Sequence, residues 1–429
     1  MRRSWLTRRE MLKLAGGAVV FAGGGWRAGP AAAQAEEVKI GCLYPLTGSL
    51  ARLGADMRKA VDLAAEIVNT PHPELAPLTL AATSGLPRLG GRKIGLVWAD
   101  AKDPATARAE AERLIEQERV AALMGCYASA FTNTASLAAE TRGIPFLNPE
   151  SSSPTLTQRG FKWFFRTGPH DGTFTAMFYR MFADLKQRGV RIQKFAILSE
   201  NTEFGATAAR VEEEAGKGAG YQMIAREMYT SPPASLDAEL ARIRAANPDV
   251  LIANGYLIDA VTTIKTLRTM RYFPPGLVVQ DSGYVVPDYL KETGKDGLYV
   301  ISRLAWALGL GVRKPLVKKV NDLYRSRFNE DMDETNARSF TGLLALASAI
   351  NQGGGVTSTQ ILQGLLQTNI PGSDLIMPWQ GIKFDQDGQN VYALGVMGQR
   401  LGDGGFKVVW PFDLAETNIV WPAPAWDKR

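Results

Sequence analysis

Residues 125–140 read GCYASAFTNTASLAAE, and this stretch decides how the rest of the chain is interpreted. An apolar run, VAALM, precedes it and a helix-like pattern follows, so a buried strand ends in a loop that opens a helix. Ser129 lies at the predicted start of that helix, where its hydroxyl can cap the helix or contact a ligand. In parallel α/β sheets, ligands bind at such strand ends because helix N-termini offer unpaired N–H groups there.

The same strand–helix unit repeats along the chain from residue 38 to residue 302. The predicted strands are apolar, as is typical of parallel sheets that helices cover on both faces. They include VKIGCLY, RKIGLVWAD, GIPFLN, KFAILSE, DVLIANG and LVVQD. This pattern predicts an α/β fold with two doubly wound, Rossmann-like lobes. Helices are also expected at 315–328, 338–352 and 357–368, and the sequence GDGG predicts a hairpin between two final strands.

One segment does not fit this pattern. Residues 69–93 are long, rich in Pro and Gly, and aperiodic, so we expect an excursion on the surface. Two interpretations of this segment remain, a functional lid and an insertion without a role.

The composition excludes several classes of function. The 429-residue chain is too long for one small domain. Residues 1–35 hold six basic side chains and one acid, which leaves 43 Lys+Arg against 42 Asp+Glu in the remainder. Such a nearly neutral body has no electrostatic footprint for nucleic acid or an anionic membrane. The soft metal ligands are His72, His170, Cys42 and Cys126, whose spacing fits no zinc pattern, so no metal is expected. Neither a G-x-G-x-x-G turn nor a Walker A sequence is present, so no cofactor is expected.

The first 35 residues have the three-part order of an export signal peptide. A charged start and an apolar centre lead to the small-residue end AQA, and TRREMLK resembles the twin-arginine export motif. We expect cleavage near Ala35 and export to the periplasm; an uncleaved membrane anchor and a general secretory signal are the alternatives. In an oxidising compartment Cys42 and Cys126 can form a disulfide, and two separate buried thiols are the equal alternative.

Six stretches of the chain carry a resemblance to a known family. They are VKIGCLYPLTGSLARLGADMRKAVDLAAEIVN, WADAKDPATARAEAERLI, VAALMGCYASAFTNTASLAAETRGIPFLNPESSSPTLT, SENTEFG, NPDVLIANGY and QDSGYVVPDYL. Together they resemble the leucine/isoleucine/valine-binding protein family, the substrate-binding components of ABC importers with the type I periplasmic-binding fold. They cover most of residues 37–300 in family order, and the block at 125–157 is the most specific. The part after residue 300 matches more weakly.

The resemblance implies two lobes that close on a small ligand. Three crossovers are expected near 165–170, 298–304 and 388–394. The first lobe would be residues 37–167 plus 301–390, and the second would be residues 168–300 plus 391–418.

Two loops of the first lobe are expected to bind the ligand. The loop NPESSSPTLT follows the strand after Ser129, and the two loops can converge on one anion. The resemblance implies that Ser129 and Ser152 bind the ligand α-carboxylate, with Ser151 and main-chain groups at Glu150 in the same loop. The family has a small residue where this chain has Glu150. Glu150 either lines the pocket and attracts a cation or a polar group, or it points to solvent.

Aromatic and apolar side chains are expected around the body of the ligand. The resemblance implies contacts from Phe204 and Tyr256 in the second lobe. Leu53 would make the side-chain pocket apolar, and Tyr127 can also reach it. The alternative for the three aromatic residues is an ordinary place in the core or at its rim.

The partner of a ligand ammonium group is the least defined part of the predicted site. The resemblance requires an acid in the QDSG loop, for which Asp281 is the candidate, although the family acid can align one residue along on Ser282. If no acid faces the cleft, an amide, a urea-like compound or an aromatic acid fits better than an α-amino acid.

The resulting prediction is a binding protein and not an enzyme. The ligand selects the closed state of the lobes, and an inner-membrane ABC permease recognises the closed face. We expect a monomer that delivers a small molecule. A periplasmic sensor of the same fold is the alternative, and an enzyme would have to use carboxylates such as Glu150 and Asp281 as acid and base.

Overall fold

The computed structural model describes residues 37–280, 282–402 and 404–429, and the predicted export signal lies outside these ranges. The compact unit that contains them extends from residue 36 to residue 429. Within the described part of the chain, none of the helices combines the length and the apolar character needed to cross a bilayer.

The N-terminal part builds a parallel sheet of five strands. Its elements are β1 Val38–Tyr44, α1 Ala51–Asn69, β2 Ile94–Asp100, α2 Pro104–Glu116, β3 Ala122–Gly125, α3 Ser129–Arg142, β4 Phe146–Asn148 and β5 Phe164–Arg166. The strands lie in the order β2-β1-β3-β4-β5, and all of their pairings are parallel. Alternate residues of β1 enter different core clusters, because Cys42 packs in one cluster and Leu43 in another. The strand is therefore buried on both faces, as its apolar sequence predicts.

The middle of the chain builds a second sheet. Its elements are α4 Asp171–Gln187, β6 Lys194–Glu200, α5 Glu203–Gly218, β7 Gln222–Tyr229, α6 Asp237–Ala246, β8 Val250–Asn254, α7 Leu257–Thr269, β9 Gly276–Val279, α8 Pro287–Thr293 and β10 Ile301–Leu304. The C-terminal third adds α9 Pro315–Phe328, α10 Glu334–Gly353, α11 Ser358–Leu366, β11 Ile370–Pro371, β12 Gly381–Ile382, β13 Val396–Arg400 and β14 Phe406–Trp410. The second sheet has the order β14-β13-β10-β9-β8-β6-β7. The predicted α/β fold with parallel, doubly wound sheets is confirmed.

The hairpin predicted at the end of the chain is confirmed. Strand β13 pairs antiparallel with both β10 and β14, so it extends the second sheet beyond its parallel strands. Residue 403, in the GDGG turn, lies outside the described residues.

The start of the second piece of the first lobe differs from the prediction. Residues 301–304 form β10, which pairs with β9 in the second sheet, so the chain leaves that sheet after Leu304 and not at 301. The last return is close to its expected place, since Gln389 bridges Arg166 of the first sheet and β13 begins at Val396 in the second.

Helix α10 begins four residues earlier than the apolar period indicates. Asp333 accepts hydrogen bonds from the backbone N–H groups of Thr335 (2.9 Å) and Asn336 (3.0 Å), which caps the helix at this point. Its first turns hold the buried polar residues Asn336 and Arg338, which a search for an apolar face passes over. Arg338 of this helix lines the candidate site.

The Pro/Gly-rich segment 69–93 packs against the C-terminal third of the chain. Thr79 N–H donates to the Asp374 carbonyl (3.2 Å), and Arg88 N–H donates to the Asn351 side chain (2.9 Å). None of its residues lines the cavities around Ser129 and Tyr256. These contacts favour an insertion away from the cleft and not a lid.

Candidate functional site

The strand order of both sheets opens a crevice at the same relative position. In the first sheet β1 lies between β2 and β3, so the chain winds one way to β2 and the other way to β3. The loops that follow β1 and β3 diverge at such a point and leave room for a ligand. The parallel strands of the second sheet have the corresponding order, with β6 between β7 and β8. The loops after β1, β3, β6 and β8 therefore supply the candidate site.

Side chains from the two sheets meet at these loops. The ring centroid of Tyr127, after β3, lies 6.4 Å from that of Tyr256, after β8. Phe204, after β6, packs against the same Tyr256 ring at 5.7 Å. The hydroxyl oxygens of Tyr127 and Ser282 are 3.2 Å apart. The two crevices thus form one cleft.

The loop after β3 turns sharply into α3. Gly125, Cys126 and Tyr127 have φ angles of 110°, 78° and 56°, a run of left-handed backbone that side chains disfavour. A Cβ atom on Gly125 would lie 2.2 Å from the Leu43 carbonyl oxygen, so only glycine fits there. Strained backbone of this kind occurs at ligand sites, where the surrounding structure fixes it. Here it places Tyr127 and the start of α3 in the cleft.

Ser129 does not cap α3. It is the first residue of the helix, and Ala128 occupies the cap position without a side-chain hydrogen bond. The Ser129 hydroxyl instead accepts a hydrogen bond from Ser153 N–H at 3.3 Å. Its proton is directed elsewhere, so the hydroxyl can donate to a ligand at the helix N-terminus.

Ser151 joins the two loops of the first sheet. Its hydroxyl donates to the Tyr127 carbonyl at 2.7 Å and lies 2.6 Å from the Thr132 hydroxyl. The Asn148 side chain donates to the same oxygen at 3.2 Å. Ser151 lines the cavity as predicted, but its side chain is engaged in holding the loops and is poorly placed to bind a ligand.

Two buried arginines hold the carbonyl groups of the loop after β4. Arg338 donates through Nε to the Pro149 carbonyl (3.3 Å) and through Nη2 to the Glu150 carbonyl. Arg166 donates through Nη1 to the carbonyls of Ser151 (3.2 Å) and Ser153 (2.6 Å). A trans peptide directs its N–H away from its carbonyl, so the N–H of Ser151 points away from Arg338.

Two backbone N–H groups of this loop are available to a ligand. Ser151 and Ser152 N–H donate to no acceptor in the described part of the chain, although both residues are buried. Buried N–H groups are nearly always hydrogen-bonded in proteins, so a bound molecule is expected to accept from them.

Glu150 is buried in the site, and the alternative that it points to solvent is wrong. The residue is 3% exposed and lines the cavity. Its Oε1 accepts hydrogen bonds from the hydroxyls of Tyr44 (2.9 Å) and Ser339 (2.5 Å). Its Oε2 has no partner among the described residues. Burial raises the pKa of Glu150 to about 7, against hydrogen bonds from Ser339 and Tyr44 that lower it.

A polar cavity at the centre of the cleft brings most of the predicted residues together. The cavity, with the open space at its mouth, measures about 270 Å³ and is lined by Tyr127, Ser129, Glu150, Ser151, Ser152, Phe204, Tyr256 and Ser282, with two arginines. An adjoining cavity shares Tyr127, Tyr256 and Ser282 and contains Leu53 with other apolar side chains. The site therefore has a polar centre with an apolar extension.

The candidate acid of the second sheet is not part of this geometry. Asp281 lies outside the described residues, and its role stays a prediction. Its neighbour Ser282 is described, with a φ of 49°, and its hydroxyl lies in the cleft beside Tyr127.

Arg303 and Arg338 line the cavity, and sequence reasoning missed both. They belong to β10 and α10, which come late in the chain, and both are 2% exposed. Glu334 is between them, with its Oε1 at 3.1 Å from Arg338 Nη1 and 3.8 Å from Arg303 Nη1. The Arg303 guanidinium also lies 3.8 Å above the Phe174 ring. The signal in the sequence is a lone arginine in each of two otherwise apolar stretches, VISRLAW and ARSFTGLLAL.

Cys42 and Cys126 are both free and buried, so the disulfide alternative is not what the structure contains. Cys42 packs in the cluster that contains α1 and α10, whereas Cys126 packs in the cluster that contains α2 and α3. Thiols on opposite faces of a sheet cannot approach to bonding distance without moving the backbone. Burial raises the pKa of both thiols.

Within the described ranges no group of three or more His, Cys, Asp or Glu residues could hold a metal ion.

Comparisons with known proteins agree with this geometry. A profile of the family described as periplasmic binding protein matches residues 37–402. The Leu/Ile/Val-binding protein homolog 7 of Brucella abortus is 27% identical over 404 residues, which cover 92% of this chain and 96% of that protein.

Solved structures share the fold at lower sequence identity. The leucine-binding protein LivK of Thermotoga maritima superimposes with a TM-score of 0.73 and 20% identity, and the match covers 86% of this chain and 97% of that one. A solute-binding protein of an ABC transporter from R. palustris, in complex with benzoate, gives a TM-score of 0.71 with 17% identity, covering 91% and 97%. At these identities the structures establish the fold and leave the ligand open.

Proposed function

The chain belongs to the periplasmic binding protein family, and from this premise we propose that it is the solute-binding component of an ABC importer. Its cargo is a small amino acid, or a related carboxylate or amide, held in the cleft between the two sheets. Residues 1–35 direct export and are cleaved near Ala35, and an inner-membrane permease receives the ligand.

The observation that carries this proposal is a set of unused donors at the polar centre of the cleft. The N–H groups of Ser151 and Ser152 lack acceptors in the described chain, and the Ser129 hydroxyl lies at the N-terminus of α3. Arg303 and Arg338 add positive charge to the same cavity. A carboxylate accepts several hydrogen bonds at once and is stabilised at a helix N-terminus.

The body of the ligand has an aromatic and apolar wall. Tyr127 and Phe204 both pack near the Tyr256 ring, and Leu53 lines the adjoining cavity. This wall suits a branched aliphatic or an aromatic group equally well. Two structural relatives, a leucine-binding protein and a solute-binding protein in complex with benzoate, represent the same two chemistries.

Binding is expected to couple to closure. The donors at Ser129 and Ser152 belong to the first sheet, whereas Phe204 and Tyr256 belong to the second. Because no single sheet supplies all contacts, the ligand stabilises the arrangement in which both sets of loops meet. Water leaves the cleft in that state, which strengthens the hydrogen bonds to the carboxylate.

A ligand screen of the mature chain, beginning at Glu36, tests the proposal. The panel contains amino acids, their amides, short ureas and aromatic acids, with thermal shift as the first readout and calorimetry as the second. A ligand at a hundred times its dissociation constant adds about 2.7 kcal/mol to the free energy of unfolding. The expected result is a shift with one ligand class that Ser129→Ala abolishes. A chain that is folded and binds nothing in the panel would contradict the capture function.

A further inference from the structure

The carboxyl group of Glu150 is bound from one side only. Tyr44, on β1, and Ser339, on α10, both donate to Oε1, so this oxygen is fixed against the body of the first sheet. Oε2 of the same carboxyl has no hydrogen-bond partner in the described chain, and the residue lines the polar cavity. A buried acceptor without a donor is unfavourable, so a molecule in the cavity that brings a donor binds better than one that does not.

Resting on the proposed function, we propose that Glu150 Oε2 accepts a hydrogen bond from an N–H group of the ligand. The cleft then selects a small molecule with an ammonium or amide nitrogen over the plain carboxylic acid of the same skeleton. Glu150 is the specificity-determining residue, and it lies in the loop after β4 of the first sheet. This position is distinct from the loop at 281–282 in which an acid is expected from the family resemblance.

Glu150 is next to the N–H donors of Ser151 and Ser152, so the positions of donors and acceptor determine which ligands fit. Its neighbours Ser151 and Ser152 present N–H groups that suit the oxygen atoms of the ligand, while Glu150 presents an acceptor that suits the nitrogen. A ligand with both an oxygen acceptor and an adjacent N–H donor satisfies all of them at once. A plain carboxylate leaves Oε2 unpaired and brings a second negative charge to it.

The charge of the carboxyl supports this selection near neutral pH. The titratable or charged groups packed beside it are Tyr44 and Cys42 on β1, Cys126 after β3 and Arg338 on α10, and the same cavity is lined by Arg303, Tyr127 and Tyr256. Burial raises the pKa of Tyr44, Tyr256 and both thiols, so they stay protonated. Glu150, with a pKa of about 7, is the member of this group that ionises as the pH rises from 6 to 8. Ionisation makes Glu150 a stronger hydrogen-bond acceptor for an N–H group, and it adds a negative charge that repels a ligand carboxylate.

Two matched pairs of ligands test the inference on the folded mature chain. L-leucine is compared with 4-methylpentanoate, which lacks the ammonium group, and benzamide is compared with benzoate. Calorimetry at pH 6 and pH 8 gives the affinity ratio within each pair. We expect the N–H member of the pair that binds to be at least about tenfold tighter, as for sites that hydrogen-bond a substrate N–H. The ratio is expected to increase at pH 8.

Glu150→Gln keeps the shape of the side chain and removes its charge. It is expected to reduce the affinity ratio severalfold and to remove its dependence on pH. Glu212→Gln is the matched control, because Glu212 is equally buried but lies in α5 and lines none of the cavities described above. This control is expected to keep the wild-type ratio.

The outcomes separate this inference from the capture function. If the wild-type chain binds 4-methylpentanoate or benzoate as tightly as the N–H partner, the role of Glu150 is refuted and capture stands. An unchanged ratio in a folded Glu150→Gln variant refutes it in the same way. Failure of every member of the wider panel to bind overturns both. If Glu150→Gln does not fold, the wild-type ratios at the two pH values still decide the matter.

Discussion

Tyr127 and Ser282 contact each other across the cleft, and both residues have left-handed backbone. Their hydroxyl oxygens are 3.2 Å apart, and their φ angles are 56° and 49°. Tyr127 follows β3 of the first sheet, whereas Ser282 follows β9 of the second. Each loop is thus held in a disfavoured conformation that brings its hydroxyl to the partner. We interpret this pair as a latch between the two sets of loops.

Tyr127→Phe removes one half of this latch. The loss of a hydrogen bond of about 1 kcal/mol destabilises the closed arrangement, so the ligand is expected to bind about fivefold more weakly. Calorimetry with the best ligand of the screen measures the change. Ser282→Ala should have a similar effect, and the double variant should lose less than the sum of the two. Fully additive losses would show that the two hydroxyls do not act as a pair.

Ser151→Ala tests whether this serine holds the loops together. Its hydroxyl contacts the Tyr127 carbonyl, Asn148 and Thr132, so its removal leaves buried polar groups without partners. We expect the free energy of unfolding to fall by about 1–3 kcal/mol in urea denaturation. Ser326→Ala is the control, since that exposed hydroxyl contacts only one carbonyl and its loss should cost less than about 0.5 kcal/mol. Equal stabilities of the two variants would refute the structural role.

Glu334→Gln removes the negative charge between Arg303 and Arg338. Both arginines are buried, and Glu334 contributes a charged partner to each of them, so the free energy of unfolding should fall by about 1.5–3 kcal/mol. The midpoint of urea denaturation is expected to fall while its slope stays constant. Glu330→Gln, which breaks a more exposed pair with Lys59, should cost less than about 1 kcal/mol. A loss of the same size in both variants would argue against a special role for the buried group.

Glu212 should make the protein less stable as the pH rises. Burial raises the pKa of its carboxyl from 4.5 to about 8, so between these values the folded state holds a proton that the unfolded state has lost. The contribution is greatest below pH 4.5 and is lost as the pH approaches 8, with a slope of about 1.4 kcal/mol per pH unit. Urea denaturation of wild type and Glu212→Gln at pH 5.5 and 7.5 measures the difference.

The neighbouring Glu213 provides the control for this prediction. Its hydrogen bond to Lys217 lowers its pKa, so its carboxyl is ionised in both states over this pH range. Glu213→Gln is therefore expected to keep the wild-type slope. If Glu212→Gln also keeps that slope, the buried carboxyl does not hold a proton near neutral pH.

Sequence periodicity predicted the parts of the fold that depend on local pattern. Apolar strands and amphipathic helices identified both sheets, and strand-end loops identified Ser129 and Ser152 as neighbours at one site. The family resemblance, and not the periodicity, added Tyr256 to the same cleft. The conformation of these loops could not be read in the same way. Ser151 links the two loops and Ala128 occupies the cap position in a turn with left-handed backbone at Cys126, and a cysteine in the sequence does not indicate such backbone.

Contacts between distant segments were the other missing part. Arg338 reaches the Glu150 carbonyl across 188 positions of sequence, and Arg303 enters the cavity from β10, an interior strand of the second sheet. The apolar periodicity of α10 and of β10 does not indicate which distant segment each arginine contacts. The side on which Glu150 faces depends on the same contacts, because Tyr44 and Ser339 draw its carboxyl inward.

Because Arg338 holds the loop after β4, the binding loop can be completed only after the strands of the first sheet have been synthesised. All five strands of the first sheet precede residue 167, yet the arginine that holds the carbonyls of Pro149 and Glu150 is made only with α10. A nascent chain that ends before Glu334 can therefore pair these strands without having an arranged binding loop. We therefore expect ligand capture to begin only when the last third of the polypeptide has been synthesised and has folded back onto the first.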